Sequence, residues 1–434
     1  MPTKKDELEL RIIKLPGRRV KQARFPLVGI GALFVIGCIG AVPPKSPKEA
    51  LHSADLAVAK LLENARASEA PPSRVDTQTN GSNVVTFWYM SHPAIGTALE
   101  TTPPASDTFA LKALFIGEDD AATQKLIVAV AAGDLPDVAL VDRSLVPMLF
   151  DAGRTRALDA ILSAELMRDL RDEARADYTY RGQLIGLPAD GYCSVLFCSR
   201  PLTGDAPPKN WVFFNAHSNA YQLTTTSKRG RKHGAYPFLE ALWSTGGDVV
   251  QSGTPGLATP EALRALEFVT LATGGTARSE QVAFQDFLDG VCAMTVASSR
   301  YIARANAAGL DYVVAPVPGE TGPISRRSNV AVVVFAREMG APTAAIAAFL
   351  DWLTGSEVYT ETAAINGNVP IRKSAASVGL VPVGVADAYQ SGRNTPLIPQ
   401  WAGAEIEVER AIAEAYAFED LVRAESRGKV PQTP

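Results

Sequence analysis

The chain has 434 residues, of which 47% are apolar and 20% charged, with a net charge of −4. That length exceeds one ordinary core and implies more than one folded unit. Charges of both signs are interspersed, which leaves no basic face for nucleic acid.

Residues 25–42, FPLVGIGALFVIGCIGAV, carry no charge and follow Arg18, Arg19, Lys21 and Arg24. Basic residues stay cytoplasmic, so whatever follows is exported. At ~1.5 Å per residue the stretch is about the shortest that crosses a bilayer, which suits an uncleaved anchor. The alternative is a signal peptide, because Val35-Ile36-Gly37-Cys38 is similar to a bacterial lipobox whose cysteine is acylated. Both readings of residues 1–42 tether the chain to the outer face of a membrane, by lipid at Cys38 or by the helix itself.

Residues 43–82 read as a linker holding one helix. Ser46 is its N-cap, Pro47 fits the first turn, and Glu49 completes a capping box. Leu51, Ala54, Val58, Leu61, Leu62 and Ala65 form an apolar stripe that packs on the body or meets a partner.

The body begins at residue 83. VVTFWY (84–89) is β-branched and aromatic, as a first buried strand is. A helix near 95–100, a strand at 110–116, a helix at 120–132 ending on Gly133 and a strand at 138–141 follow. This alternation predicts parallel βαβ units in an open, doubly wound sheet. Further on, the pattern predicts a helix over 159–176 and extended chain over 187–199. Helices follow at 211–223, 238–244, 260–272, 282–288 and 301–308. A strand at 311–316, an apolar strand at 330–335 and a helix at 342–353 complete the series.

Four cysteines and four histidines show no metal spacing. Cys193 and Cys198 lie five apart in an extended run, so they face opposite ways and read, with Cys292, as buried small hydrophobes. The chain has no G-x-S-x-G, H-E-x-x-H or P-loop, and Gly246-Gly247-Asp248 reads as a turn. The expectation is a binding protein that uses neither cofactor nor metal, not an enzyme.

Several stretches carry a family resemblance. FLDWLTGSEVYTETAAINGNVPIRKS (349–374) reads as helix, break, helix, glycine turn and an exposed Arg372. With AAGDLPDV (131–138) and YRGQLIGLPADGYCSVLF (180–197), it resembles the sugar-type, maltose-binding-like extracellular solute-binding proteins (family 1) that feed ABC importers. VTFWYM (85–90), GEDDAATQKL (117–126), APPKNW (206–211), LWSTGGDVV (242–250) and FLDGVCAMTVASSR (287–300) fit in the same order. Gln183 stands where the family usually has lysine, Val291-Cys292 replaces Lys-Ala, and Ser299-Arg300 replaces Gly-Ser/Pro-Trp, which removes a usual stacking aromatic.

The resemblance implies an α/β, two-lobed periplasmic-binding-protein fold of type II with hinge crossings, behind the N-terminal segment and linker helix. Lobe one then comprises residues 83–189 and 316–355, and lobe two 190–315 and 356–434. It further implies capture of a sugar by hinge closure, delivery to ABC permease subunits, and a monomer held at the membrane. A phosphorylated polyol such as glycerol phosphate is the alternative ligand, and a tethered sensor or scaffold the alternative role.

Sugars present apolar ring faces and hydroxyl edges, so their sites need aromatic platforms and forked hydrogen-bonding groups. Trp88, Tyr89, Tyr192, Trp243 and Tyr301 are the aromatic candidates, with core packing the competing role. Asp142, Asp190, Arg300 and Arg372 are the polar ones. Asp142 and Asp119 also sit where parallel strands end, the usual place for ligands. Arg327 and Asn329, in SRRSN (325–329), could hold an anion near the second crossing.

Overall fold

The computed structural model describes residues 44–426, except 68–77, 80–81, 91–92, 103, 105, 190, 212–234, 274–278, 328–329 and 376–380. The apolar stretch with Cys38, Asp190, Asn329 and nearly all of the helix expected over 211–223 therefore lie outside the described residues. Among the described residues no helix is long and apolar enough to cross a membrane.

The first labelled element, α1 (Pro47–Ala67), begins at the expected capping box: Ser46 N–H donates to Glu49 Oε2 at 3.0 Å and Glu49 N–H to Ser46 Oγ at 3.4 Å. Its stripe is covered. Ala50, Leu51, Ala54 and Val58 are buried in a core shared with Trp401, Ala404, Val408 and Ala411 of the C-terminal helix. The apolar face offered to a partner in the scaffold reading is thus already occupied.

In chain order the body then runs β1 (Val84–Met90), α2 (Pro93–Thr101), β2 (Ala110–Gly117), α3 (Asp119–Ala132) and β3 (Val138–Asp142). Gly133 ends α3 in the left-handed region at φ 78°, where a side chain would be strained. Next come β4 (Leu187–Pro188), β5 (Ser194–Ser199), α4 (Tyr236–Ser244), α5 (Pro260–Ala272) and α6 (Glu280–Leu288). β6 (Met294–Ser298), β7 (Tyr312–Ala315), β8 (Val330–Val334), α7 (Thr343–Leu353) and α8 (Ser356–Asn366) follow. α9 (Val383–Ser391) and α10 (Trp401–Ser426) close the chain.

These elements build two sheets with separate cores. The five-stranded sheet has the order β2-β1-β3-β8-β4, and the three-stranded sheet β6-β5-β7. In the five-stranded sheet the expectation of parallel strands holds for β1 with β2 and β3. β8 runs antiparallel to β3, with Val330 opposite Asp142 and Val334 opposite Val138. It enters at the carboxyl end of β3 from the other half, so it runs back along β3. The second sheet is antiparallel throughout. Its central strand alternates as expected: Cys193, Val195 and Phe197 face one core, Leu196 and Cys198 the other. Cys193, Cys198 and Cys292 are free and buried, and burial pushes the Cys193 and Cys198 thiols up to about 12.

The helix expected over 159–176 is broken. Turns or helices occupy Leu158–Ala160, Ala164–Asp169 and Asp172–Asp177, and Ser163 caps the second by accepting from Leu166 N–H at 3.0 Å. Leu170 is extended (ψ 137°) because it pairs with Arg372 of the distant glycine-turn segment. The extended run 187–199 is likewise interrupted where the chain leaves the first sheet. There Gly191 pairs with Val369, and a Cβ on residue 191 would lie 2.1 Å from Val369 O.

Candidate functional site

The two halves meet along residues 191–194 and 325–327, which cross between the two sheets, and residues 392–395, which run beside them. Arg326 bridges Arg393, Cys193 bridges Arg327, and Arg327 N–H donates to Arg393 O at 2.8 Å. The sequence candidates fall at different distances from this seam.

Trp88 and Tyr89 sit within β1 and are half-buried against the first core, Tyr89 stacking on Phe87 at 5.9 Å. Asp119 begins α3, and its side chain is outside the described residues. Asp142, at the end of β3, accepts from Ser144 N–H at 2.9 Å. Tyr192 is buried beside the first crossing, close to Arg300. Arg300 and Tyr301 occupy the turn after β6, where Arg300 faces Glu280 at 3.7 Å and lies over the Tyr301 ring at 5.5 Å. Tyr301 rests on Phe284 at 4.5 Å. The structure thus brings Tyr192, Arg300 and Tyr301 together, and leaves Trp88 and Tyr89 in the other half.

Two arginines are not the free cations that the sequence suggests. Arg327 is buried, and its Nε and Nη2 donate to the two Asp177 oxygens at 2.6 and 2.7 Å, while Nη1 donates to Tyr389 O and Gly392 O. Burial opposes the charge, yet the Asp177 carboxylate holds Arg327 above its usual range. Beside it Arg143 reaches Thr395 Oγ1 at 3.0 Å and Asp177 O at 2.7 Å, and burial lowers its pKa. Arg372 is not exposed: Nε meets Asp169 at 2.8 Å and Nη1 meets Asp351 at 3.0 Å.

Trp243 leads to residues that sequence reasoning missed. It is 4% exposed, and its Nε1–H donates to Asp248 Oδ1 at 3.3 Å. Asp248 Oδ2 accepts from Arg393 Nη2 at 2.6 Å, and the Arg393 guanidinium lies 5.3 Å from the Trp243 ring centroid. The Arg393 side chain is 43% exposed, so this trio is open to solvent on one side. Asn368 is the other omission. It is 1% exposed, its Oδ1 accepts no hydrogen bond, and it lines a cavity of about 30 Å³ with Ile95, Ala189, Tyr359 and Val369. That volume admits about one water or one ligand hydroxyl. The G-N-V-P string was visible, but nothing in it distinguishes this buried acceptor from an ordinary turn asparagine. A larger open pocket of about 520 Å³, walled by Pro207, Pro208, Pro316 and Pro323, contains none of the sequence candidates.

Taken together, the seam offers an aromatic ring, a guanidinium, a carboxylate and an amide. Among the described residues no cluster of three or more metal-ligating side chains occurs.

The family profile described as bacterial extracellular solute-binding protein matches residues 114–390. No curated protein sequence matches at a significant level. Among solved structures, the chain is similar to the cyclic α-maltosyl-1,6-maltose binding protein of Arthrobacter globiformis: TM-score 0.64, 20% identity, 80% of this chain and 98% of that one. UgpB of Mycobacterium tuberculosis, in complex with glycerophosphocholine, gives TM-score 0.64, 20% identity, and 81% and 100% coverage. The maltotriose binding protein of Thermus thermophilus gives 0.59, 20%, and 79% and 99%. At these identities the likeness establishes the fold: mixed α/β, matching the two-lobed maltose-binding-like proteins.

Proposed function

Because this chain belongs to the bacterial extracellular solute-binding protein family, we propose that it is the capture subunit of an ABC importer for a neutral sugar or oligosaccharide. Its family binds solutes outside the cytoplasm and does not convert them. One observation carries the choice of ligand: four of the described arginines at and near the seam already face carboxylates. Arg327 faces Asp177, Arg393 faces Asp248, Arg372 faces Asp169 and Arg300 faces Glu280. An anionic ligand would have to displace one of these partners. A neutral polyol needs only stacking and forked hydrogen bonds, which Trp243, Asp248, Arg393 and Asn368 can supply alongside Tyr192, Arg300 and Tyr301.

In this reading residues 83–189 with 316–355, and 190–315 with 356–434, are lobes that close over the ligand. Differential contacts to the closed form drive that closure. Residues 1–42 tether the monomer through Cys38 or an uncleaved helix, and tethering raises its concentration at the permease. Trp88, Tyr89 and Asp142 contribute from the first lobe. The second reading, a phosphorylated polyol, draws on the glycerophosphocholine complex of the M. tuberculosis neighbour and on the half-exposed Arg393.

A thermal-shift series on residues 43–434, which form one compact unit, separates the two. It compares maltotriose, glycerol phosphate, glycerophosphocholine and amino acids. A ligand at 100 times its Kd stabilises by ~2.7 kcal/mol, a clear rise in midpoint. A rise with neutral sugars alone supports the proposal. A rise only with phosphorylated compounds, abolished by Arg393→Ala, replaces the ligand, and no rise with any class overturns capture.

A further inference from the structure

A second buried charge sits on the crossing strands, and nothing above uses it. Glu240, on α4, is 4% exposed. Its Oε1 accepts a short hydrogen bond from Ser194 Oγ on the first crossing and one from Arg326 N–H on the second at 3.2 Å. Those two residues also bond each other: Ser194 N–H donates to Arg326 O, and Arg326 N–H to Ser194 Oγ, both at 2.8 Å. Arg393 N–H then ties the neighbouring segment to Ser325 O at 2.8 Å. One carboxyl group therefore links a helix of the second half to both segments, 191–194 and 325–327, that cross between the sheets.

We propose that Glu240 is a positioning residue for solute capture: its carboxyl group clamps the crossing strands in register, and its protonation sets how firmly the protein holds its ligand. The proposal rests on the capture reading above.

The surroundings make this proton labile near neutrality. Burial pushes the Glu240 carboxyl up to about 7, and Ser194 and Arg326 draw it down against that. The guanidinium of Arg326 lies 3.9 Å from the ring centroid of Tyr236, one turn earlier on α4. Glu280 of α6 adds repulsion, and Cys193, whose thiol is pushed up to about 12, stays neutral beside it. Ionised, the carboxylate gains charge assistance from both donors, but burial costs it more than those bonds return, so the closed strands favour the protonated form. Opening the strands hydrates the carboxyl and releases that cost, so opening is easier once the proton is lost. A clamp that is firmer at lower pH raises the fraction of molecules with the strands set for binding, and apparent affinity rises with that fraction.

The test uses the full chain in detergent, its Glu240→Gln variant, which keeps the shape and loses the titration, and Ser194→Ala, which removes one donor. Amide exchange of the 193–194 and 325–327 segments, corrected for intrinsic rates, is read at pH 6 and pH 8 without ligand. Maltotriose affinity is measured at the same two pH values. The expectation is that wild type protects these amides more strongly, and binds about three- to ten-fold tighter, at pH 6 than at pH 8. Glu240→Gln shows neither step, and Ser194→Ala a smaller one. Should maltotriose bind at neither pH, the sugar reading fails and the exchange data alone decide. A protection step present in wild type and absent from Glu240→Gln then upholds the clamp. Equal steps in both proteins, or a step of opposite sign, overturn it, and if Glu240→Gln does not fold, an undiminished step in Ser194→Ala does the same.

Discussion

Arg327 and Arg393 lie one backbone hydrogen bond apart on neighbouring segments of the seam, yet their side chains differ sharply in surroundings. Arg327 is buried and bidentate on Asp177, with its remaining donors spent on the carbonyls of Tyr389 and Gly392. Arg393 shares a single carboxylate with the Trp243 indole and keeps 43% of its side chain in solvent. The first arrangement holds two halves of the molecule together. The second leaves a guanidinium half in solvent above a buried aromatic ring. The difference teaches that at this seam burial separates an arginine that positions from one that solvent still reaches.

The sharpest way to break that contrast is to remove the carboxylates one at a time. Asp177→Ala strands a buried guanidinium and is expected to cost ~3–5 kcal/mol in chemical denaturation. Asp248→Asn, at a half-exposed pair, is expected to cost less than ~1 kcal/mol while changing ligand affinity by about tenfold. Equal stability losses would mean that Arg393 is as structural as Arg327.

Glu240 extends the contrast to a buried acid. Its pKa is raised from 4.5 to about 7, so the native state keeps a proton that the unfolded chain sheds. Stability is therefore fully present below pH 4.5, falls as pH rises through the window up to about 7, and levels off above it. The loss is expected to reach ~3 kcal/mol. Denaturation midpoints from pH 4.5 to 8 check this, and Glu240→Gln should flatten the curve. A wild-type curve that is already flat there would show that Glu240 ionises freely.

Gly191 tests the backbone of the same seam. A Cβ there meets Val369 O at 2.1 Å, so Gly191→Ala must separate the first crossing from the glycine-turn segment. The expected cost is ~1–3 kcal/mol, with weaker ligand binding. A neutral effect on both would show that the two strands can part without consequence.

What the sequence made legible was local. The Ser46–Glu49 capping box, the start of α5 at Pro260 and the Gly133 stop each depend on residues within one turn, and each lies where its signal places it. The facing of Cys193 and Cys198 followed from a period of two. What was not legible depended on distant partners. Asp177 lies 150 residues from Arg327, and Asp169 lies 203 from Arg372, so no spacing rule could mark these arginines as paired. The antiparallel entry of β8 depends on where the chain returns from the other half, which hydrophobic pattern does not encode. Asp248 and Arg393 are 145 apart and acquire meaning only beside the Trp243 ring.

The smallest expected effect lies farthest from the seam and tests whether the contrast stays there. Ser46→Ala removes the cap of α1, breaking the reciprocal bonds with Glu49. Loss of such a cap costs ~1 kcal/mol, which in a chain of this size lowers the melting midpoint by ~2 °C or less. α1 packs on α10 in the core of the second half, and none of its residues joins the network of Arg327, Asp177 and Arg393. Ligand affinity should therefore stay unchanged while the midpoint falls. If affinity drops with it, α1 transmits strain through α10 to the strand that carries Arg393. The linker helix would then belong to the binding device, as a part of it rather than a cover on its back.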